Sequence, residues 1–204
     1  AELSRVVRPF DDVGLSPPLG VGRGMSLANK ISIGRILLVP GIVASVVYYH
    51  PSRDGLRFLT LFLFFLGIVS DAVDGYIARS QNQQSQLGVL LDPVADKCLI
   101  IGTLISLSAI EGLPAWMRIP AWFNLIVISR DVFLLVGAVV IFMTKSHWAI
   151  QPSWIGKWTT AAQMTVIMVV LLGLPIREPL LVLATGLTVA SGVGYLRAGV
   201  RALG

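Results

Sequence analysis

The chain has 204 residues, of which 55% are hydrophobic and 13% charged, against about 25% charged in an ordinary soluble domain, so its bulk is not a water-soluble globule. Its net charge of +5 is carried by single basic residues scattered between apolar runs, and without a basic stripe a nucleic-acid partner is excluded. The one cysteine, Cys98, sits inside an apolar run, which rules out a disulfide framework and leads us to expect a small buried side chain there.

Residues 1–25 hold Pro9, Pro17 and Pro18 and no apolar run long enough to span a bilayer, and form a polar or amphipathic segment. Polar residues from Ser26 to Lys30 then offer a helix start ahead of the first apolar run. A spanning helix needs about 20 mostly apolar residues. Six stretches approach or exceed that, near 31–49, 56–78, 88–109, 120–143, 158–174 and 179–198. The expected fold class is therefore all-α, a polytopic membrane protein with six transmembrane helices, and residues 26–204 form one membrane domain.

The first run begins some 30 residues into the chain and no small-residue cleavage site follows it, so it is expected to be retained. Arg35, inside its first turns, is expected to reach headgroups or a polar site. Turn-forming residues at 50–55, 111–120 and 174–179 separate the helices. Trp116, Trp122, Trp148, Trp154 and Trp158 cluster near the helix ends, as interfacial anchors do. Basic residues are more numerous before the first run, in the connections after the second and fourth, and at the C-terminus. By the positive-inside tendency, those sides face the cytoplasm, as for a bacterial inner membrane or its equivalent.

The chemistry lies across the second and third runs. Asp71, Asp74, Gly75 and Ala78 are spaced i, i+3, i+4, i+7 and share one helix face, followed by Arg79; Gly88, Asp92 and Asp96 recur every four residues on the next helix. Four carboxylates beside apolar runs repel one another and resist ionisation unless a cation joins them. Hard divalent ions take oxygen ligands, and no histidine or cysteine cluster offers a softer site. Mg²⁺ commonly takes substrate phosphate oxygens as well, which suits a phosphate ester or diphosphate. Gly75, Ala78 and Gly88 leave the aspartate face without bulk, and Arg79 adds a cation for a phosphate oxygen. An ion- or proton-coupled transporter with an intramembrane carboxylate cluster is the alternative of another class.

At these residues the sequence resembles the CDP-alcohol phosphotransferase family, whose signature D-x-x-D-G-x-x-A-R, a gap of eight, then G-x-x-x-D-x-x-x-D is matched at all eight fixed positions from Asp71 to Asp96. The resemblance covers the chain from about Ser26 onward. It implies a six-helix membrane enzyme, usually a homodimer, that moves a phosphatidyl group from CDP-diacylglycerol to an alcohol with release of CMP. It further implies two ions, Mg²⁺ or Mn²⁺, held by Asp71, Asp74, Asp92 and Asp96. Asp74, Gly75, Ala78, Arg79 and Gly88 would bind the nucleotide, and Asp96 would be the general base.

Within the family, Leu91 to Lys97 and Ser153 to Lys157 resemble the branch that holds phosphatidylglycerophosphate and cardiolipin synthases, which implies a glycerol-type acceptor. The former commonly carry an Arg-Glu pair, an arginine seven residues on, and a Gly-Lys-x-Lys-Thr run. Here Arg130 is followed by Asp131, position 138 is Ala138, and Lys157 is followed by Trp158 and Thr159. A small dianionic acceptor wants cationic clamps. Their loss leads us to expect phosphatidylglycerol as acceptor, giving cardiolipin, with glycerol 3-phosphate as the alternative. Arg130 and Lys157 are the candidates for contacting it.

Overall fold

The computed structural model describes residues 27–81, 86–145 and 154–203. They form six α-helices: α1 (Leu27–Val47), α2 (Gly55–Gln81), α3 (Gln86–Ala109), α4 (Ala121–Lys145), α5 (Trp154–Leu172) and α6 (Arg177–Leu203), with one short 3₁₀ turn at Pro51–Arg53. Each of the six apolar runs is one helix, with ends displaced by a few residues. Ser26 and residues 1–25 lie outside the described part of the chain.

Among the described residues, three helical segments are long and apolar enough to cross a membrane: Gly55–Val73, Trp154–Leu172 and Arg177–Arg197. In such a setting the lipid tails are as apolar as leucine, so helices associate through close packing and polar contacts between them. Both are present. α1 lies along α2 and α3, while α6 lies along α4 and α5. Ile42 and Val46 of α1, Phe64 of α2, Leu99, Ile100 and Leu104 of α3, Phe123 of α4 and Ile167 of α5 are fully buried in a common core.

Small residues let α1, α2 and α3 approach closely. A methyl group added to Gly67 of α2 would stand 2.6 Å from Leu99 of α3, and one added to Gly102 of α3 would stand 2.8 Å from Val39 of α1. Polar bonds fasten other interfaces. Ser45 and Thr60 share a hydrogen bond of 2.7 Å between α1 and α2. Asn124 of α4 donates to the Leu104 carbonyl of α3 at 2.9 Å, and Gln163 of α5 donates to Thr188 of α6 at 3.4 Å.

The end of α5 shows how the chain turns. Gly173 has φ +69; its N–H donates to the Val170 carbonyl at 3.1 Å and that of Leu174 to Val169 at 3.1 Å. This is a Schellman closure, which needs a left-handed residue that glycine adopts without strain. The side chains of Trp116, Trp122, Trp154 and Trp158 are exposed near the helix ends, in keeping with interfacial anchoring; Trp148 lies outside the described residues. Cys98 corrects the expectation made for it: it is exposed on α3, not buried. A helix set in lipid carries apolar residues on both its inner and outer faces, so an apolar run does not reveal which way a cysteine points.

Candidate active site

Asp71 lies in the second half of α2 and Asp96 in the first half of α3, so the Gly67–Leu99 contact one turn away sets the approach of the two segments. Asp71 accepts a hydrogen bond from Arg35 Nη1 of α1 at 2.8 Å, with the arginine side chain fully buried and the carboxylate 45% exposed. Of the two options for Arg35, the polar site is the one the structure bears out. Burying a guanidinium is costly unless its charge is matched, and Asp71 supplies the match.

Asp71, Arg35, Lys97 and Asp131 all act electrostatically on Asp96, and the Arg35–Asp71 and Lys97–Asp131 pairs join α1 to α2 and α3 to α4. Asp96 Oδ1 is buried without a hydrogen-bond partner among the described residues. A buried carboxylate oxygen left this way calls for a ligand or a proton. Asp74, Gly75, Ala78 and Arg79 fall in the last turns of α2, and Gly88 and Asp92 in the first turns of α3. Their side chains lie outside the described residues. Among the described residues no three acidic, histidine or cysteine side chains converge.

The residue after Asp96, Lys97, reaches Asp131 of α4, with Nζ 3.1 Å from Oδ1 and 2.9 Å from Oδ2. The same Asp131 accepts from Arg130 Nη1 at 2.6 Å. Arg130 Nη2 donates to Ser191 of α6 at 2.8 Å, and its guanidinium carbon stands 5.9 Å from the Tyr195 ring. Arg130 is thus buried and engaged at both terminal nitrogens. Lys157 is placed differently: its amine stands 5.4 Å over the Trp154 ring of its own helix.

Two features escaped the sequence reading. One is the partner of Arg35, 36 residues away. The other is Asp131, noted only as a departure from a pattern, which joins α3, α4 and, through Arg130, α6. The signal for both was the expense of a charge inside an apolar run, which demands a partner.

The family model for CDP-alcohol phosphatidyltransferases matches residues 25–190. The chain belongs to this family. A Cereibacter sphaeroides protein named CDP-diacylglycerol–glycerol-3-phosphate 3-phosphatidyltransferase is 32% identical over 148 residues, covering 72% of this chain and 64% of the relative. A Mycobacterium tuberculosis protein provisionally named phosphatidylglycerophosphate synthase is 29% identical over 214 residues, covering 99% of this chain and 97% of the relative. A Mycobacterium bovis protein provisionally named cardiolipin synthase is 33% identical over 159 residues, covering 78% of this chain and 70% of the relative. Family membership and the three apolar segments make this an integral membrane protein of a transferase family.

Proposed function

We propose that the chain transfers the phosphatidyl group of CDP-diacylglycerol to a glycerol-type alcohol, with glycerol 3-phosphate as the acceptor and CMP as the leaving group. The observation that carries the reaction class is Asp96, whose buried Oδ1 has no hydrogen-bond partner among the described residues, on the helix pair that bears the family signature. The relatives named for glycerol 3-phosphate support that acceptor over the phosphatidylglycerol expected from the missing cations.

Asp96 takes the proton of the acceptor hydroxyl, whose oxygen forms a bond to the phosphatidyl phosphorus as the bond from that phosphorus to the oxygen of CMP breaks. Arg35 holds Asp71 by one oxygen, Oδ1. Asp74, Gly75, Ala78, Arg79 and Gly88 bind the nucleotide. The donor set suits hard divalent ions: carboxylates alone, with Asp96 Oδ1 buried and unpartnered among the described residues. Asp71, Asp74, Asp92 and Asp96 would hold Mg²⁺ or Mn²⁺, two ions in all, which when bound offset charge on the diphosphate and the leaving group. All six helices cross the membrane, the aspartates open to the cytoplasm, and the protein is a homodimer.

A second reading has its own support. Arg130 is held by Asp131 and Ser191, which leaves less positive charge for a dianion and favours phosphatidylglycerol, giving cardiolipin. Lys157 remains the second candidate contact for either acceptor. The test is CMP release by purified protein in detergent from CDP-diacylglycerol with Mg²⁺ or Mn²⁺, offered each acceptor in turn. Glycerol 3-phosphate is expected to support release well above phosphatidylglycerol. The reverse order refutes the acceptor, and release with neither refutes the reaction.

A further inference from the structure

The residue directly after the proposed base starts a chain of charges whose central anion, Asp131, the reaction above does not use. Lys97 of α3, Asp131 and Arg130 of α4 and Ser191 of α6 are linked in sequence by contacts of 2.6–3.1 Å. The Asp131 side chain is 9% exposed and that of Arg130 7%, while Lys97 is 30% exposed. Two cations therefore share one buried anion. Lys97 directly follows Asp96 on α3 and is tied to Asp131, so this chain adjoins the proposed base.

We infer that Asp131 tunes acceptor affinity: by neutralising Lys97 and Arg130 it sets how strongly the acceptor side of the site attracts an anionic acceptor. The inference rests on the acceptor approaching Asp96 as proposed above. Lys97 and Arg130 bring two positive charges and Asp131 one negative. An acceptor phosphate reaching this region competes with the Asp131 carboxylate for the same N–H donors. An acid at this position is thus a brake on phosphate recognition, and its strength depends on charge, because an amide of the same shape would accept from the same donors while leaving them cationic. The buried location matters, since two unscreened cations in a medium of low dielectric attract an anion far more than they would in water.

The experiment compares wild type with Asp131→Asn and Asp131→Glu, purified as full chains in detergent. Release of CMP from CDP-diacylglycerol is measured against glycerol 3-phosphate concentration, and thermal unfolding is followed with and without inorganic phosphate. In Asp131→Asn, kcat/KM for glycerol 3-phosphate rises about tenfold, through KM more than kcat, as expected for the loss of one buried charge next to an anion. Inorganic phosphate also raises the Tm of this variant more than that of wild type, because the anion binds the folded state more tightly. Asp131→Glu, which keeps the charge, shows less than a third of that gain.

An unchanged or lower kcat/KM in Asp131→Asn, with no added phosphate effect on Tm, overturns the inference and leaves Asp131 as a helix-joining group. An equal gain in Asp131→Glu overturns it as well, because shape would then be the cause. If Asp131→Asn does not fold, a gain of tenfold or more in Asp131→Glu refutes the inference and the absence of such a gain supports it. A wild type that releases no CMP with either acceptor overturns the function and this inference together, whereas normal wild-type turnover with an unmoved Asn variant refutes this inference alone.

Discussion

Arg35 and Asp71 meet across the α1–α2 interface at 2.8 Å, the arginine entirely buried and the aspartate half open. Such a pair fixes the carboxylate's direction while leaving its other edge accessible. Replacing Arg35 with methionine keeps the bulk and removes the partner. The expected result is a loss of about 10–100-fold in CMP release, together with a higher Mg²⁺ concentration for half-maximal rate, as when the supporting partner of a metal ligand is removed. An unaltered Mg²⁺ requirement would show that Arg35 serves packing alone.

Asp96→Asn preserves the size of the side chain and removes its ability to take a proton. Turnover should fall by about 10²–10⁴-fold, the usual worth of a positioned general base. Binding of CDP-diacylglycerol, followed by protection against thermal unfolding, should persist in part. A variant that turns over like wild type would take the base away from position 96.

Gly67 lies against Leu99, and a methyl group there would come within 2.6 Å of the leucine's end. Leu99 is fully buried, so it has little room to give way. Gly67→Ala should cost about 1–3 kcal/mol of stability by overpacking, read as a lower Tm in detergent. It should also lower activity, since the same contact sets the spacing of the segments that carry Asp71 and Asp96. Ala substituted at Gly34, where an added methyl meets nothing within 4 Å, is the comparison that should leave Tm in place.

Gly173 holds φ +69 at the close of α5, and an added methyl group would stand 3.1 Å from Arg57 and 3.4 Å from Trp116. Gly173→Ala is expected to lower stability by about 1 kcal/mol or more, from the left-handed backbone that alanine resists. Catalysis should survive, because this turn is at the opposite end of the bundle from the aspartates. The check is Tm and CMP release on the same preparation.

The helices were legible because each is a continuous apolar run bounded by turn-forming residues, and the aspartate face was legible because i, i+3 and i+4 spacing is a local property of one helix. What stayed hidden depends on how helices turn toward one another. Lipid and protein interior are equally apolar, so nothing in the run around Cys98 distinguishes its outer face from the inner face of Leu99 and Ile100. The Arg35–Asp71 pair joins residues from different helices, and no local spacing announces it. Asp131 was visible as a letter beside Arg130, but its reach to Lys97 requires α3 and α4 to be packed side by side. The side chains of Asp74 and Asp92 lie beyond the described residues, so the grouping of all four aspartates rests on their spacing.

The two glycine notches described for α1, α2 and α3 work as a pair of depth stops. Leu99 seats at Gly67 and Val39 seats at Gly102, on opposite interfaces of α3, so α3 cannot slide along either neighbour by a helical turn without lifting a side chain from its seat. The vertical position of Asp96 relative to Asp71 is therefore determined mechanically, before any ion or substrate arrives. The α4–α6 and α5–α6 interfaces are fastened instead by polar bonds, Arg130 to Ser191, Thr159 to the Leu187 carbonyl and Gln163 to Thr188, which can part and re-form as a lipid enters.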